Sequence, residues 1–575
     1  MEGVKSPTLK ISYIGSIFLI NQYNSDTMTE HLIERTQSAY NYPLIIKQLF
    51  MAPVVNNPAQ EIVYRDQLTI SYKTWKERVH KLANVLTSVG VKKGDTVAVM
   101  EWDSHRYLEM YYAIPMLGAV LHTINVRLSP EQMSYTIEHA EDDVIICNAD
   151  FLPLLEAIKG RIAEGRKFIL IDEGGEIANH HIQFEGEYEK MLAGASSEFD
   201  FPEFDENTRA TTFYTTGTTG LPKGVYFSHR QLVLHTLTSV TALSSPAVQG
   251  RLHRDSVYMP LTPMFHVHAW GIPYMATYLG VKQVYPGKYV PAVLLKLLIS
   301  HKVTFSHCVP TILNMLLKAP EAAQFDLSNW TVIIGGAALP KAVATEALKR
   351  GIDVFGGYGL SETCPVLAIS HLTKEELDLS MEEQVNARCR TGKPIGLVQV
   401  RVVDAEGNDV PNDDKTAGEI VVRAPYLTQG YLKDHVHSEK LWAGGWMHTN
   451  DVACVDKNGS IRITDRTKDV IKVGGEWVSS LEIEDVIAKH EGVAEVAVIG
   501  MPDVTWSEVP LAIIVAKENA AFDDKEIVQI VKTSVDSGVL PREAITIKIK
   551  RAQIIDKTSV GKINKVELRK KFIQE

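Results

Sequence analysis

Residues 213–225 read Phe-Tyr-Thr-Thr-Gly-Thr-Thr-Gly-Leu-Pro-Lys-Gly-Val. Four hydroxyls (Thr215, Thr216, Thr218, Thr219), three glycines including Gly217, and Lys223 fall within ten residues. Backbone N–H groups unobstructed by side chains, with hydroxyls and one ammonium, can wrap a phosphate chain. The order excludes a Walker A loop, because Leu221 and Pro222 separate Gly220 from Lys223 and no Ser or Thr follows the lysine. A second stretch, residues 356–363 (Gly-Gly-Tyr-Gly-Leu-Ser-Glu-Thr), combines small residues, a ring and a carboxylate. Gly356 and Gly357, with Gly336 upstream, allow a nucleotide close to the backbone, and Tyr358 can stack on a base.

These residues need elements to hold them. Residues 72–90 place Trp75, Val79, Leu82 and Leu86 at helical spacing and end on glycine, and residues 96–100 read as a buried strand. Ser129, Pro130 and Gln132 form a helix start with a capping box. Further strands are expected at 144–147, 168–172, 331–335 and 352–355, the last two running into glycines. Strand, glycine turn and helix in repetition predict an α/β fold with largely parallel sheets and ligand sites at strand ends. After residue 395 short strands at 398–404 and 419–423, separated by a turn at 404–408, suggest a small β-rich module. From about 466 an α+β unit is expected, with helices at 480–489 and 524–534 and strands at 493–499 and 511–515.

The chain has 575 residues, 45% hydrophobic and 22% charged, and a net charge of -11 without long runs. That excludes disordered, collagenous and membrane-embedded classes and a basic nucleic-acid footprint. Five scattered cysteines without a CxxC pair predict a reducing compartment, with neither a zinc site nor a disulfide framework. Lys5 and Lys10 precede an apolar run at 11–20 that mimics a signal-peptide core. The run is shorter than the ~20 residues of a membrane span and no small-x-small cleavage site follows, so the expectation is a loose extension over 1–40, or a start at Met28, and a cytoplasmic protein.

The 213–225 loop and five later segments, all in one order, carry a resemblance: residues 263–270 (Pro-Met-Phe-His-Val-His-Ala-Trp), 356–363, 445–451 (Gly-Trp-Met-His-Thr-Asn-Asp), 465–477 (Asp-Arg-Thr-Lys-Asp-Val-Ile-Lys-Val-Gly-Gly-Glu-Trp) and 558–562 (Thr-Ser-Val-Gly-Lys). Together they resemble the adenylate-forming superfamily, which includes acyl-CoA synthetases, luciferases and the adenylation domains of peptide synthetases. The resemblance implies an N-terminal AMP-binding domain over 41–465, with two α/β sheets plus the β-rich module, and a smaller mobile lid over 466–575. It implies ATP, Mg²⁺ and CoA. Lys562, Glu362 and the hinge residue Lys468 would be catalytic. Thr215 and Glu362 would hold the metal. Thr215, Thr216, Gly217, Thr218, Thr219, Lys223, Gly336, Gly356, Gly357, Tyr358, Ser361, Asp451, Arg466, Lys468, Lys472 and Trp477 would bind the nucleotide or CoA.

Lys562 would act in acyl-adenylate formation, and rotation about Lys468 would then replace it with the 472–477 segment for thiol attack. Two departures from the family pattern stand out. Position 450 is Asn where relatives carry Thr-Gly-Asp, and residues 556–558 read Asp-Lys-Thr in place of Pro-Arg-Thr.

His266 and Trp270 are the expected acyl-side residues, Trp270 either as the aromatic gate of an acyl tunnel or as a core tryptophan. His266 and His268 are expected on a strand, with no Cys or further His spaced to join them, which argues against a metal. The implied reaction is ATP-dependent ligation of a fatty or other aliphatic acid to CoA. A carrier-protein acceptor and a short thioether acid such as methylthiopropionate are the alternatives, and a homodimer without nucleic-acid or membrane partners is expected.

Overall fold

Local chemistry fixes where the elements begin and end. In the computed structural model, which describes residues 33–573 apart from 176, 216–220, 475, 519 and 559–561, the helix Tyr72–Val89 starts where Ser71 accepts the Thr74 N–H and stops at Gly90, φ +99°. Its stripe of Trp75, Val79, Leu82 and Leu86 is buried, as the spacing predicts. Ser129 and Gln132 close the expected capping box, with Pro130 opening the helix Pro130–Ala140. Most of the 1–40 extension lies outside the described residues.

Two sheets form the body. One has seven strands in the order Gly186–Glu187, Lys167–Ile171, Asp142–Asn148, Thr96–Met100, Val120–Thr123, Arg209–Tyr214, Gly224–Ser228. All neighbours are parallel except the last pair, so the hydroxyl-rich loop is the connection of an antiparallel hairpin in which Tyr214 opposes Gly224. The second has nine strands, with a parallel centre that includes Phe305–Cys308, Thr331–Ile334 and Asp353–Gly359. Parallel strands covered on both faces read as near-continuous apolar runs, and Thr96–Met100 and Thr331–Ile334 are buried at every position.

A four-stranded antiparallel sheet follows, Gln399–Val403, Gly418–Arg423, Met447–Val455 and Ile461–Arg466. Beyond it a five-stranded sheet, centred on the long hairpin of Val493–Asp503 and Ser507–Ala516, packs the helices Ser480–Ile487 and Asp524–Asp536 over its own core of Val473, Ile483, Val498, Ile514 and Ile527. The helix Lys565–Ile573 closes the described chain. The architecture is thus α/β with two large sheets, a small β-rich sheet and a C-terminal α+β module.

Candidate active site

The carboxyl ends of the parallel strands in the nine-stranded sheet open into a cleft of about 2350 Å³, shared with the antiparallel sheet and the C-terminal module. This is where an open α/β sheet offers backbone groups to a ligand. Gly336 follows one such strand at φ +74°, a left-handed backbone that suits glycine, and a Cβ there would stand 3.2 Å from the Lys562 Cε. Gly356 has a packing reason not legible in the sequence: a Cβ would lie 2.8 Å from the Arg390 carbonyl oxygen.

One corner is pre-assembled. Asp451 and Arg466 are register partners on adjacent antiparallel strands, so their side chains meet, Arg466 Nε 3.1 Å from Asp451 Oδ1. The Tyr358 hydroxyl donates to the other carboxylate oxygen at 2.8 Å. Asp451 is only 3% exposed, and burial raises its pKa despite the opposing pull of Arg466. The departure at Asn450 is accommodated, because φ there is +58°, a conformation that glycine takes freely and that asparagine tolerates best among the rest.

Lys562 reaches this corner from the C-terminal module. Its loop is held where the Thr558 N–H donates to the Lys562 carbonyl at 2.7 Å and the Lys562 N–H donates to the Thr558 hydroxyl at 3.2 Å. Burial, then the Arg466 guanidinium, push the ammonium down to about 8, against the pull of Asp451 and Glu362. A desolvated cation that faces two carboxylates is suited to charge that appears on a phosphoryl or carboxyl oxygen.

On the phosphate side, Thr215 and Lys223 bracket the loop, with the Thr215 N–H donating to the Lys223 carbonyl at 3.0 Å. Thr216, Gly217, Thr218 and Thr219 lie outside the described residues. Glu362 and Ser361 line the same cleft. The sequence reading missed Tyr431, which joins the two groups: its hydroxyl donates to Glu362 Oε1 at 2.8 Å, and the Lys223 ammonium sits 4.6 Å from its ring centroid. No local pattern marks Tyr431, because Glu362 lies 69 residues away from it in the chain.

The acyl side corrects one expectation. Residues 267–270 do not form a strand; Val267, His268, Ala269 and Trp270 have φ of +48°, +53°, +47° and +59° and make one left-handed turn before Gly271 at +71°. Four consecutive non-glycine residues in this region are held against an intrinsic cost of roughly 1–2 kcal/mol each. The turn leaves His266 on the cleft and sends His268 into a cage of Tyr111, Phe213, Phe227 and Tyr274. Burial pushes both imidazoles down to about 3, His266 with help from Lys562 and Arg127. Trp270, 8% exposed, lines the cleft and packs on the His307 ring at 4.9 Å, and Gly335 leaves room for its indole.

Residues 51–432 match the AMP-binding enzyme family, and residues 482–562 match the AMP-binding enzyme C-terminal domain. The chain belongs to the AMP-binding enzyme family. It is 36% identical over 566 residues to a long-chain-fatty-acid–CoA ligase of Thermus thermophilus, covering 96% of this chain and 98% of that protein. It is 35% identical to a 3-methylmercaptopropionyl-CoA ligase of Ruegeria lacuscaerulensis, covering 92% and 97%. The solved anthranilate CoA ligase AuaEII, in complex with anthranoyl-AMP, superposes with a TM-score of 0.79 over 93% of this chain and 98% of that one. At 23% identity that likeness shows the fold alone.

In this AMP-binding enzyme two expected residues stand apart from the cleft. Lys472 and Trp477 lie across the short hairpin of Ile471–Val473 and Glu476–Val478, the ammonium 6.0 Å from the indole centroid and the indole 47% exposed. Neither lines the cleft that holds Lys562. Lys468 does line it, and burial lowers its pKa.

Proposed function

We infer that the protein is an AMP-forming acid:CoA ligase. In the first half-reaction a carboxylate oxygen attacks the α-phosphorus of ATP, the bond to the leaving pyrophosphate breaks, and acyl-AMP results. In the second the CoA thiol attacks the acyl carbon, its proton is lost, and AMP leaves. The observation that carries the reading is Lys562, brought by the C-terminal module into a cleft with Asp451, Arg466 and Glu362. The CoA ligases among the relatives support the thiol acceptor over a carrier protein.

Each residue then has a task. Asp451, aligned by Arg466 and Tyr358, takes the ribose hydroxyls, and the ring of Tyr358 takes the base. Lys562 neutralises charge between the acid and the α-phosphate while the two anions approach. Thr215, Lys223 and the threonines between them hold the outer phosphates, and Ser361 adds a hydroxyl beside them. The Glu362 carboxylate and the Thr215 hydroxyl are hard oxygen donors in one cleft, a set that fits Mg²⁺ better than a softer ion. When bound there, Mg²⁺ supplies charge to the phosphate oxygens.

Residues 41–465 act as the body and 466–575 as the lid, with Lys468 as the hinge. In the arrangement described here Lys562 is in the cleft and Lys472 and Trp477 are outside it, which suits the first half-reaction. Rotation exchanges them for the second. Leu243, Val267, Trp270, Ile272, Ile333 and Ile369 give the cleft an apolar lining that favours an aliphatic acid. A short thioether acid is the second reading, favoured by the Ruegeria relative. Free thiols at Cys147, Cys308, Cys364, Cys389 and Cys454 favour a reducing compartment such as the cytoplasm, and no helix among the described residues is long and apolar enough to cross a membrane. A homodimer is part of the proposal, and light scattering checks it.

The test is incubation with ATP, Mg²⁺ and a panel of carboxylic acids, short to long and including methylthiopropionate, with and without CoA. Pyrophosphate release that depends on the acid, followed by acyl-CoA only when CoA is present, is expected. If no acid releases pyrophosphate, the ligase reading fails; acyl-AMP that accumulates despite CoA removes CoA as the acceptor.

A further inference from the structure

We propose that Asp465, Ser480 and Lys565 form a latch that positions Lys562 in the cleft and sets the balance between the two half-reactions; this rests on the ligase reading and on the rotation about Lys468. The strand Ile461–Arg466 presents alternate residues to opposite sides. Arg466 meets Asp451, while Asp465, 2% exposed, meets the start of the helix Ser480–Ile487. Its Oδ2 accepts the Ser480 N–H at 2.7 Å and the Ser480 hydroxyl at 2.6 Å. The same hydroxyl oxygen accepts from the Lys565 ammonium at 2.5 Å, and that ammonium pairs with Glu484 at 2.8 Å. Lys565 opens the last helix, three residues beyond Lys562, so the chain that delivers Lys562 is tied to the strand that delivers Arg466.

The contacts sort by which side of residue 468 they join. Lys565 with Glu484 lies wholly beyond the hinge and travels with the lid. Ser480 with Asp465, the Ser479 hydroxyl donating to the Thr464 carbonyl, and Arg462 with Glu482 at 2.5 Å all span the hinge and part when the lid turns. Asp465 then loses two hydrogen bonds to a carboxylate buried in this arrangement, and such bonds are the strong ones. The latch therefore favours the state with Lys562 engaged, and acts on rate only through the population of that state.

Two single-turnover rates test it: pyrophosphate release from ATP and acid, and CoA transfer from supplied acyl-AMP. Ser480→Ala, which keeps the Lys565–Glu484 pair, and Asp465→Asn, which keeps the shape, should each slow the first by roughly tenfold and leave the second unchanged or faster. Lys562→Ala runs in parallel. If it slows both rates equally, the rotation fails; if it separates them while both latch variants leave the ratio at the wild-type value, or lower both rates alike, the latch is overturned.

Discussion

The Asp451–Arg466–Tyr358 corner, proposed for the ribose, and the Lys472–Trp477 hairpin sit in the same chain and are held in opposite ways. Asp451 and Arg466 come from adjacent strands of the four-stranded sheet and Tyr358 from a strand of the nine-stranded one, and the three pair with one another. Lys472 and Trp477 pair loosely on an exposed hairpin away from the cleft. A group needed in both half-reactions is best built into a sheet, where register fixes it. Groups needed in only one half-reaction belong on a part that can leave, which is the place proposed here for Lys562 and Trp477 on the C-terminal module.

The largest expected effects separate the two sets. Lys562→Ala removes the desolvated ammonium and should slow acyl-AMP formation by roughly 10²–10³-fold, while CoA transfer from supplied acyl-AMP stays near wild type. Trp477→Ala should do the reverse, with transfer down by about tenfold and pyrophosphate release preserved. Rapid-quench measurement of each half-reaction reads both, and a Trp477→Ala enzyme impaired in pyrophosphate release would place the hairpin in the first step and dissolve the contrast.

A smaller effect tests whether the phosphate side is as pre-assembled as the ribose corner. Tyr431 holds Glu362 through its hydroxyl and Lys223 through its ring. Tyr431→Phe keeps the ring and loses the hydroxyl, so pyrophosphate release should fall about fivefold, with a higher KM for ATP and no change in CoA transfer. Tyr431→Leu should fall further. Equal values for Phe and Leu would mean that the ring's contact with Lys223 contributes nothing.

Which parts of this were legible in the sequence follows from the range of the forces involved. The capping box at Ser129 and the glycine stop at Gly90 are local, involve neighbours within four residues, and were readable as such. The 213–225 loop and the five later segments with their candidate residues were readable because each concentrates unusual residue types in one short run. The turn at 267–270 was not, because nothing in Val-His-Ala-Trp favours a left-handed backbone; packing of His268 among four rings and of Trp270 on His307 imposes it. Tyr431 was hidden for a similar reason: its partners lie 69 residues away at Glu362 and still farther back along the chain at Lys223. Nothing local pairs Asp465 with Ser480, 15 residues away; the fold brings them together.

The smallest effect is a pH profile. Burial and Arg466 push Lys562 down to about 8, so in the free enzyme half the ammonium is lost near that pH. The cationic form is the one that neutralises the approaching anions, so kcat/KM for acyl-AMP formation should fall as pH rises through about 8. Bound ATP adds negative charge beside the ammonium and favours its protonated form, so the fall in kcat should come at higher pH than the fall in kcat/KM. CoA transfer from supplied acyl-AMP, with Lys562 withdrawn, should lack this limb and rise instead as the thiol ionises. A pyrophosphate-release rate that climbs through pH 8 would show that Lys562 acts unprotonated, as a base, and the division of labour between the finished corner and the arriving lysine would have to be redrawn around proton transfer.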